Sequence, residues 1–247
     1  MAPLVLLHGL GSRRQLWDPV RPALEARFDV LALDLPGFGA APPAGAATVP
    51  ELADWVLATV PGPFHVAGSS MGGGVALELG RRGAARSVTA FAPVGFWGPV
   101  SRRWCQASVT AARLCARAFG PALPRLASTA AGRVVLFGLF FGHPTRVDPA
   151  AGVADARSLA RAPGFTAARD AFARHRFAGP GALADIPVTV AWGPRDLILP
   201  AMQARRARRL LPAARHVRLP GCGHLPFADD PRACAELIAR TAGRAGG

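Results

Sequence analysis

Six short apolar runs are distributed along the whole chain, and they limit the architectures open to it. They occupy residues 4–7, 30–33, 64–67, 88–91, 188–192 and 216–219. Each run has the length of a buried β-strand, and segments with helix signals lie between most of them. Strands that alternate with helices form a parallel sheet covered by helices on both faces. The sequence therefore predicts an α/β fold with a mostly parallel central sheet.

One long segment interrupts this alternation. Residues 94–184 are rich in Ala, Arg and Leu and contain no convincing strand. At about 90 residues the segment is too long for an ordinary crossover between two strands. We therefore predict a core domain formed by residues 1–93 and 185–247, with residues 94–184 inserted as a helical cap.

Composition places the chain among globular proteins with a sizeable core. Of the 247 residues, 51% are hydrophobic and 18% are charged, a balance that excludes intrinsic disorder. The longest apolar run, 134–142, falls well short of the ~20 residues that a membrane span needs, and the first residues lack signal-peptide features. The four cysteines form no C-x-x-C pair. We predict a cytoplasmic protein with no membrane span, reduced thiols and no structural metal.

A G-x-S-x-G motif spans residues 68–72 and has Ser70 at its centre. It follows the apolar run at 64–67 and opens a helix-like stretch of small residues. Its glycines permit a sharp turn that exposes the serine hydroxyl at the carboxyl end of a sheet, and the helix N-terminus behind it favours developing negative charge. The motif alone is weak evidence in a chain with 28 glycines. The position of the motif after a predicted strand makes Ser70 the candidate nucleophile. The alternative is that Ser70 is an ordinary serine in a turn, without a catalytic role.

A serine nucleophile needs a general base, and the base needs a carboxylate that orients it. Asp196 follows the strand predicted at 188–192, and His224 lies in a glycine-rich loop after the strand predicted at 216–219. The chain order is therefore Ser, Asp, His. Asp34 is the less favoured acid, because it follows an earlier strand and suits a structural turn.

Acyl transfer also needs backbone donors for the oxyanion of the transition state. The loop after the first predicted strand, residues 8–11, contains two glycines and has the flexible backbone that this task requires. We assign the two oxyanion N–H groups to Leu10 in this loop and to Met71, which directly follows the candidate nucleophile.

In these motifs the chain resembles the α/β-hydrolase superfamily, in its cap-bearing, esterase-like serine hydrolase branch. The resemblance covers nearly the whole chain. Five motifs in family order carry it: His8-Gly9, residues 34–39, 68–74, 192–196, and 221–227 with Asp229-Asp230-Pro231 behind them. The resemblance implies that Ser70 is the nucleophile, His224 the general base and acid, and Asp196 the residue that orients it. It implies no cofactor, and it gives His8 the role of shaping the oxyanion loop.

The chain departs from the superfamily pattern at its start. Members usually carry an antiparallel strand pair before the His-Gly loop, whereas only seven residues precede His8 here. Either the sheet has six strands and lacks the first two, or the true start lies upstream. The serine at position 70 argues against the haloalkane dehalogenases and epoxide hydrolases of the superfamily, since the resemblance implies an aspartate nucleophile for them.

Apolar and aromatic residues of the cap form the candidate substrate pocket. Residues 134–141 are the most apolar stretch of the cap, and four aromatic residues lie where the chain enters it, namely Phe91, Phe96, Trp97 and Trp104. Because ligand pockets are mostly apolar, we predict substrate contact for a set of five side chains. They are Phe96, Trp97, Phe137, Phe140 and Phe141. The alternative interpretation is that these side chains form the interior of the cap, and both roles are compatible.

The net charge is +14, and all 29 basic residues are arginines. Residues 79–147 contain ten of them and no Asp or Glu. Most would form a solvated face, but convergence of several on the cap entrance would attract an anionic acyl carrier, either coenzyme A or an acyl carrier protein. The chain has no recognised nucleic-acid-binding module and no interleaved basic-aromatic stripe, so we predict no nucleic-acid partner.

Together these features predict a serine hydrolase that cleaves a carboxylic ester or related acyl compound through an acyl-enzyme. The expected substrate is a small, mostly apolar acyl compound. The same triad serves thioester hydrolysis, C–C bond hydrolysis and non-hydrolytic steps of natural-product assembly, so these remain alternatives within the enzyme class. A catalytically retired binding protein is the alternative outside it, because a fold does not guarantee a function.

Overall fold

The central sheet has six strands, all of them parallel, in the order β2-β1-β3-β4-β5-β6. The structure is a computed structural model that describes residues 1–45 and 47–245. Residues 46, 246 and 247 of the predicted core domain lie outside the described residues. The strands are Pro3–Leu7 (β1), Asp29–Leu33 (β2), Phe64–Ser69 (β3), Ala85–Phe91 (β4), Val188–Trp192 (β5) and Arg215–Arg218 (β6). Each matches one apolar run, which confirms the predicted α/β class.

The described residues form ten α-helices. They are Arg21–Glu25 (α1), Val49–Thr59 (α2), Met71–Arg81 (α3), Pro99–Ala118 (α4), Leu123–Ser128 (α5), Ala130–Phe137 (α6), Pro149–Arg161 (α7), Phe165–Arg174 (α8), Met202–Leu210 (α9) and Pro231–Gly243 (α10). Helix starts follow local signals: Thr48 and Glu51 form a capping box at α2, and Asp230 caps α10 through the Ala233 amide. Short 3₁₀ turns occupy Arg14–Trp17, Pro144–Arg146 and Gly181–Ala184.

Helices cover both faces of the sheet. Successive side chains of a strand point to opposite faces, and β1 shows the consequence. Val5 and Leu7 join the apolar cluster that includes α2, α3 and α9, whereas Leu4 and Leu6 join the cluster formed with α1 and α10. All four side chains are at most 1% exposed. The sheet is therefore buried on both sides, and its carboxyl edge is the surface left for loops.

The insertion between β4 and β5 consists of helices joined by loops and contains no strand among the described residues. It contains α4 to α8 and two of the 3₁₀ turns. One apolar cluster, with Leu123 and Phe137, belongs mainly to this insertion, but Val109, Phe165 and Phe172 pack into the main core instead. The insertion thus lies on the core rather than beside it. Its treatment as a cap spanning 94–184 stays a prediction.

Candidate active site

Ser70 occupies a sharp turn between β3 and α3. Its backbone is in the left-handed region, at φ 54° and ψ −113°, where a residue with a side chain is strained. Both flanking glycines are required by close packing, since a Cβ on Gly68 would collide with the Gly72 carbonyl and one on Gly72 with the Leu7 carbonyl. The Ser70 amide donates to the Phe91 carbonyl at 2.8 Å, which fixes the turn against β4. Ser70 remains partly exposed while its neighbours on both sides are buried.

Asp196 and His224 meet in the loops that follow β5 and β6. The His224 Nδ1–H donates to Asp196 Oδ2 at 2.8 Å, and both side chains are almost completely buried. The other carboxylate oxygen, Oδ1, accepts the amides of Ile198 and Leu199 at 2.9 and 2.7 Å. Because Nδ1 carries the proton, His224 Nε2 keeps its lone pair. The pair therefore has the arrangement of an oriented general base.

The three predicted catalytic residues share the carboxyl edge of the sheet. They follow β3, β5 and β6, and the registers Ser69 to Phe91 and Phe91 to Ala191 align these strand ends. Among the described residues no hydrogen bond joins Ser70 to His224. In unliganded enzymes this contact is often long and tightens only when substrate binds. The structure thus brings Asp196 and His224 into contact, and a triad with Ser70 remains a prediction.

The predicted oxyanion loop is held against Ser70. A Cβ placed on Gly9 would stand 3.1 Å from the Ser70 Cβ, so the loop backbone passes directly over the candidate nucleophile. Met71 begins α3, where the first amides of a helix lack partners within the helix. The backbone at Leu10 and Met71 is thus available on the two sides of Ser70, although their role as oxyanion donors stays a prediction.

A buried histidine, His8, holds this loop in shape. Its Nδ1–H donates to the Gly9 carbonyl at 2.7 Å, and its Nε2 accepts the Leu35 amide at 3.0 Å. One nitrogen must donate and the other accept, so the ring is neutral and its tautomer is defined. Complete burial lowers the pKa of His8 to about 4. His8 therefore positions backbone and has no free nitrogen for proton transfer.

The buried His8 predicts a pH-dependent loss of stability. The folded-state pKa of about 4 lies below the ordinary value of 6.5, so between these values the unfolded chain binds more protons. The stabilisation is complete above pH 6.5 and is lost as pH falls towards 4, by about 3 kcal/mol in total. Urea unfolding of wild type and His8→Gln from pH 4 to 8 measures this: the difference in unfolding free energy should shrink over that interval. An equal pH dependence in both proteins would contradict it.

Two further carboxylates near the site hold backbone. Asp34, the alternative acid, accepts the amides of Arg14 and Ala40 at 2.7 and 3.0 Å, which is the behaviour of a structural turn acid. Asp229 accepts the Gly223 amide beside His224 at 2.8 Å and two amides of the insertion, at 142 and 143. No sequence motif assigned a role to Asp229. The only sequence feature that pointed to Asp229 was its position shortly after the motif that contains His224. In the structure its carboxylate connects the His224 loop to the helical insertion.

A largely apolar cavity of about 270 Å³ lies between the insertion and the core. It reaches the site at Leu10, in the oxyanion loop, and at Leu225, next to His224. Phe137, Phe140 and Phe141, three of the five side chains predicted to contact substrate, line it, and their contact with substrate stays a prediction. An apolar cavity of ~150 Å³ binds benzene, so this one has room for on the order of ten carbon atoms.

The two other predicted pocket residues lie elsewhere. Phe96 and Trp97 are 1% and 6% exposed and belong to the main core, outside the cavity lining. Phe96 packs on Phe177 with ring centroids 5.2 Å apart, and Trp97 stacks on Phe172 at 5.8 Å. Both precede α4 and pack against α8 and the segment that follows it.

Comparison with known proteins identifies the family. Residues 4–237 match the alpha/beta hydrolase family. This chain belongs to that family. It is 32% identical to a pimeloyl-[acyl-carrier protein] methyl ester esterase from Aromatoleum aromaticum, over 95% of this chain and 96% of that protein. It is also 32% identical to the dihydrolipoyllysine-residue acetyltransferase component of an acetoin cleaving system from Pseudomonas putida, over 90% of this chain and 58% of that longer protein.

Solved structures agree on the fold. A thermophilic esterase from Thermogutta terrifontis superposes with a TM-score of 0.73 at 22% identity, covering 99% of this hydrolase and 90% of the esterase. The resemblance inferred from the five motifs is therefore confirmed at the level of the superfamily. The family and these relatives also support the predicted ester hydrolase class.

The cavity of this hydrolase opens at an apolar rim. Val135 and Phe119 line the cavity and are also 79% and 44% exposed, and Leu114 and Val134 nearby are 59% and 50% exposed. The apolar stretch of the insertion thus continues from the cavity wall to the surface. None of the described helices has the length and apolar character needed to cross a bilayer.

The insertion also carries arginines that have no carboxylate partner among the described residues. Of the ten in residues 79–147, only Arg81 and Arg82 form ion pairs among the described residues, both with Glu78. Arg125 is exposed two residues from Leu123, which lines the cavity. The insertion therefore carries unpaired positive charge as well as the apolar opening of the cavity.

Proposed function

We propose that this hydrolase cleaves the ester of an acyl chain through Ser70, His224 and Asp196. Ser70 Oγ attacks the carbonyl, His224 Nε2 takes its proton and passes it to the leaving alcohol, and Asp196 stabilises the imidazolium. The amides of Leu10 and Met71 bind the oxyanion. Water then hydrolyses the acyl-enzyme with His224 as base, which releases the acid. The observation that carries the proposal is the oriented His224–Asp196 pair, at the same sheet edge as the strained, partly exposed Ser70.

The acyl group is assigned to the cavity between the insertion and the core. Its lining is almost entirely apolar and begins at Leu10, one of the proposed oxyanion donors. Burial of apolar surface favours acyl chains by roughly 0.8 kcal/mol per methylene. On the order of ten carbons would fill it. We therefore expect kcat/KM to rise with chain length and to fall once the chain exceeds the cavity.

The test is release of p-nitrophenol from acyl esters of two to sixteen carbons, together with titration by a serine-reactive phosphonate. The expected results are a maximum at intermediate chain length and labelling of one serine per chain, mapped to Ser70. Hydrolysis without labelling of Ser70 would overturn the mechanism. Absence of both would favour the binding-protein alternative.

An anionic acyl carrier is the proposed partner. The esterase relative is named for an ester on an acyl carrier protein, and the unpaired arginines of the insertion are complementary to an acidic protein. The cavity would take the acyl chain while the carrier stays on the rim. This places the carrier on the insertion, away from the catalytic loops.

Charge reversal at Arg125 tests the carrier. Arg125→Glu is expected to lower kcat/KM for an ester on acyl carrier protein about tenfold at low salt relative to the p-nitrophenyl ester, and the loss should shrink as salt rises. Arg209→Glu makes the same charge change on α9, far along the chain from the rim, and should have little effect on this ratio. Equal effects of the two variants would contradict docking at the rim.

Acyl thioester hydrolysis is the second candidate. The acetyltransferase relative is named for transfer of an acetyl group, and the arginine-rich insertion suits an anionic thioester such as acyl coenzyme A. The same acyl series presented as coenzyme A thioesters separates the two activities. Turnover of thioesters with inactivity on esters would make this the function.

A further inference from the structure

The apolar cavity has one charged group in its wall. Among the described residues that line it, Asp155 on α7 is the only ionisable side chain apart from the thiol of Cys115. The rest are aliphatic, aromatic or glycine residues and Ser12. The Asp155 side chain keeps 36% of its surface accessible, and the residue belongs to the cavity lining. A carboxylate in such a wall needs a partner, because an isolated charge is costly to bury.

The partner of Asp155 is Arg13, which is not among the residues that line the cavity. Arg13 Nε donates to Asp155 Oδ1 at 3.1 Å. Arg13 does not belong to the cavity lining; it lines a separate surface cleft that also contains Arg14 and Arg157. The ion pair is thus a dipole that turns its negative end to the acyl chain and its positive end to the surface.

No other group near the cavity neutralises the negative charge of Asp155 among the described residues. Burial raises the pKa of Asp155, Arg13 opposes this, and the nearby Asp18 adds negative charge. Toward the cavity, the hydroxyl of Ser12 and the thiol of Cys115 are the other polar side-chain groups of the described lining, and neither is a cation. A free carboxylate brought into the cavity would therefore meet like charge in surroundings of low dielectric constant.

We propose that Asp155 is a specificity-determining residue that excludes acyl chains ending in a free carboxylate and admits chains with a neutral end. The inference rests on the proposed function only in taking the acyl chain as occupant of the cavity. A half-ester of a dicarboxylic acid would then be a poor substrate when its free carboxylate enters the cavity, and masking that carboxylate as an ester would restore binding.

Equilibrium binding tests the inference without requiring turnover. In Ser70→Ala protein at pH 8, nonan-1-ol and nonanoate are compared by displacement of the neutral fluorophore Nile red. We expect the ratio of their dissociation constants to favour the alcohol, and to fall about tenfold when Asp155→Asn is added, because repulsion by the carboxylate exceeds attraction by the more distant Arg13. Asn retains an oxygen that accepts from Arg13. Asp170→Asn removes a carboxylate of α8 outside the cavity lining and should leave the ratio unchanged.

A second variant changes the ratio in the opposite direction. Arg13→Gln removes the countercharge and leaves Asp155 in place, so the preference for the alcohol should increase. Opposite shifts in Asp155→Asn and Arg13→Gln cannot arise from general loosening of the fold, which would move both in one direction. If Asp155→Asn fails to fold, Arg13→Gln still tests the inference.

Hydrolysis provides the second readout. The kcat/KM ratio for two p-nitrophenyl esters of equal chain length, one ending in a methyl group and one in a carboxylate, should fall about tenfold in Asp155→Asn. Loss of all Ser70-dependent hydrolysis would overturn the proposed function while the binding ratios still test Asp155. Unchanged ratios in Asp155→Asn and Arg13→Gln, with the acyl ligands bound, would overturn the specificity role alone.

Discussion

Replacing Ser70 with alanine is expected to lower kcat for chromogenic acyl esters by on the order of 10⁴- to 10⁶-fold. Without the hydroxyl no acyl-enzyme forms, and His224 has no proton to accept. The residual rate would come from the oxyanion amides and from binding. Because alanine fits the small turn after β3, the free energy of unfolding should change little, as measured by urea denaturation beside the kinetics.

The neighbouring serine provides the matched control. Ser69 is fully buried, and its Oγ has no hydrogen-bond partner among the described residues. Ser69→Ala removes an unsatisfied buried hydroxyl, so it should leave kcat nearly unchanged and keep or raise stability. A Ser70→Ala protein with most of its activity, or a Ser69→Ala protein without it, would show that the nucleophile has been wrongly assigned.

Asp196→Asn is expected to lower kcat by about 10⁴-fold. The amides of Ile198 and Leu199 select an oxygen at the Oδ1 position, so the new amide group would face His224 Nδ1. That nitrogen would then have to accept, the ring proton would move to Nε2, and His224 would lose the lone pair that takes the serine proton. The loss should appear in kcat at an almost unchanged KM, because binding does not use this bond.

Asp34→Asn is the control for this substitution. Asp34 also accepts two backbone amides in a loop at the sheet edge, but it forms no hydrogen bond with a histidine among the described residues. Its replacement should cost stability and leave kcat within a few-fold of wild type. A large loss of kcat in Asp34→Asn with activity retained in Asp196→Asn would transfer the acid role to Asp34.

The strands and the site loops follow from local sequence. Six predicted strand segments became six strands, and the four inner ones, β1, β3, β4 and β5, are almost wholly buried, as a parallel sheet covered on both faces requires. The strained turn at Ser70 was also readable, because only glycines fit at Gly68 and Gly72. The strands and this turn each depend on a few residues that are neighbours in the sequence, so they can be predicted from a short segment of the chain.

The cavity did not follow from local sequence in the same way. Phe96 and Phe140 are both aromatic residues of the insertion, yet one is a core residue and the other lines the cavity. Val135, in the most apolar stretch, is 79% exposed at the rim. The sequence shows which residues are apolar, but the packing of α8 and the segment after it decides which of them are buried in the core.

The sequence by itself determined the α/β class, the order of the six strands along the chain, and the candidate residues Ser70, Asp196 and His224. Local propensity, strand burial and turn chemistry suffice for these. Only the tertiary structure decided that Asp229 ties the His224 loop to the insertion and that Asp155 meets Arg13. The latter two residues are separated by 142 positions. No local sequence pattern predicts either contact, because each depends on where α7 and the segment before it pack on the core.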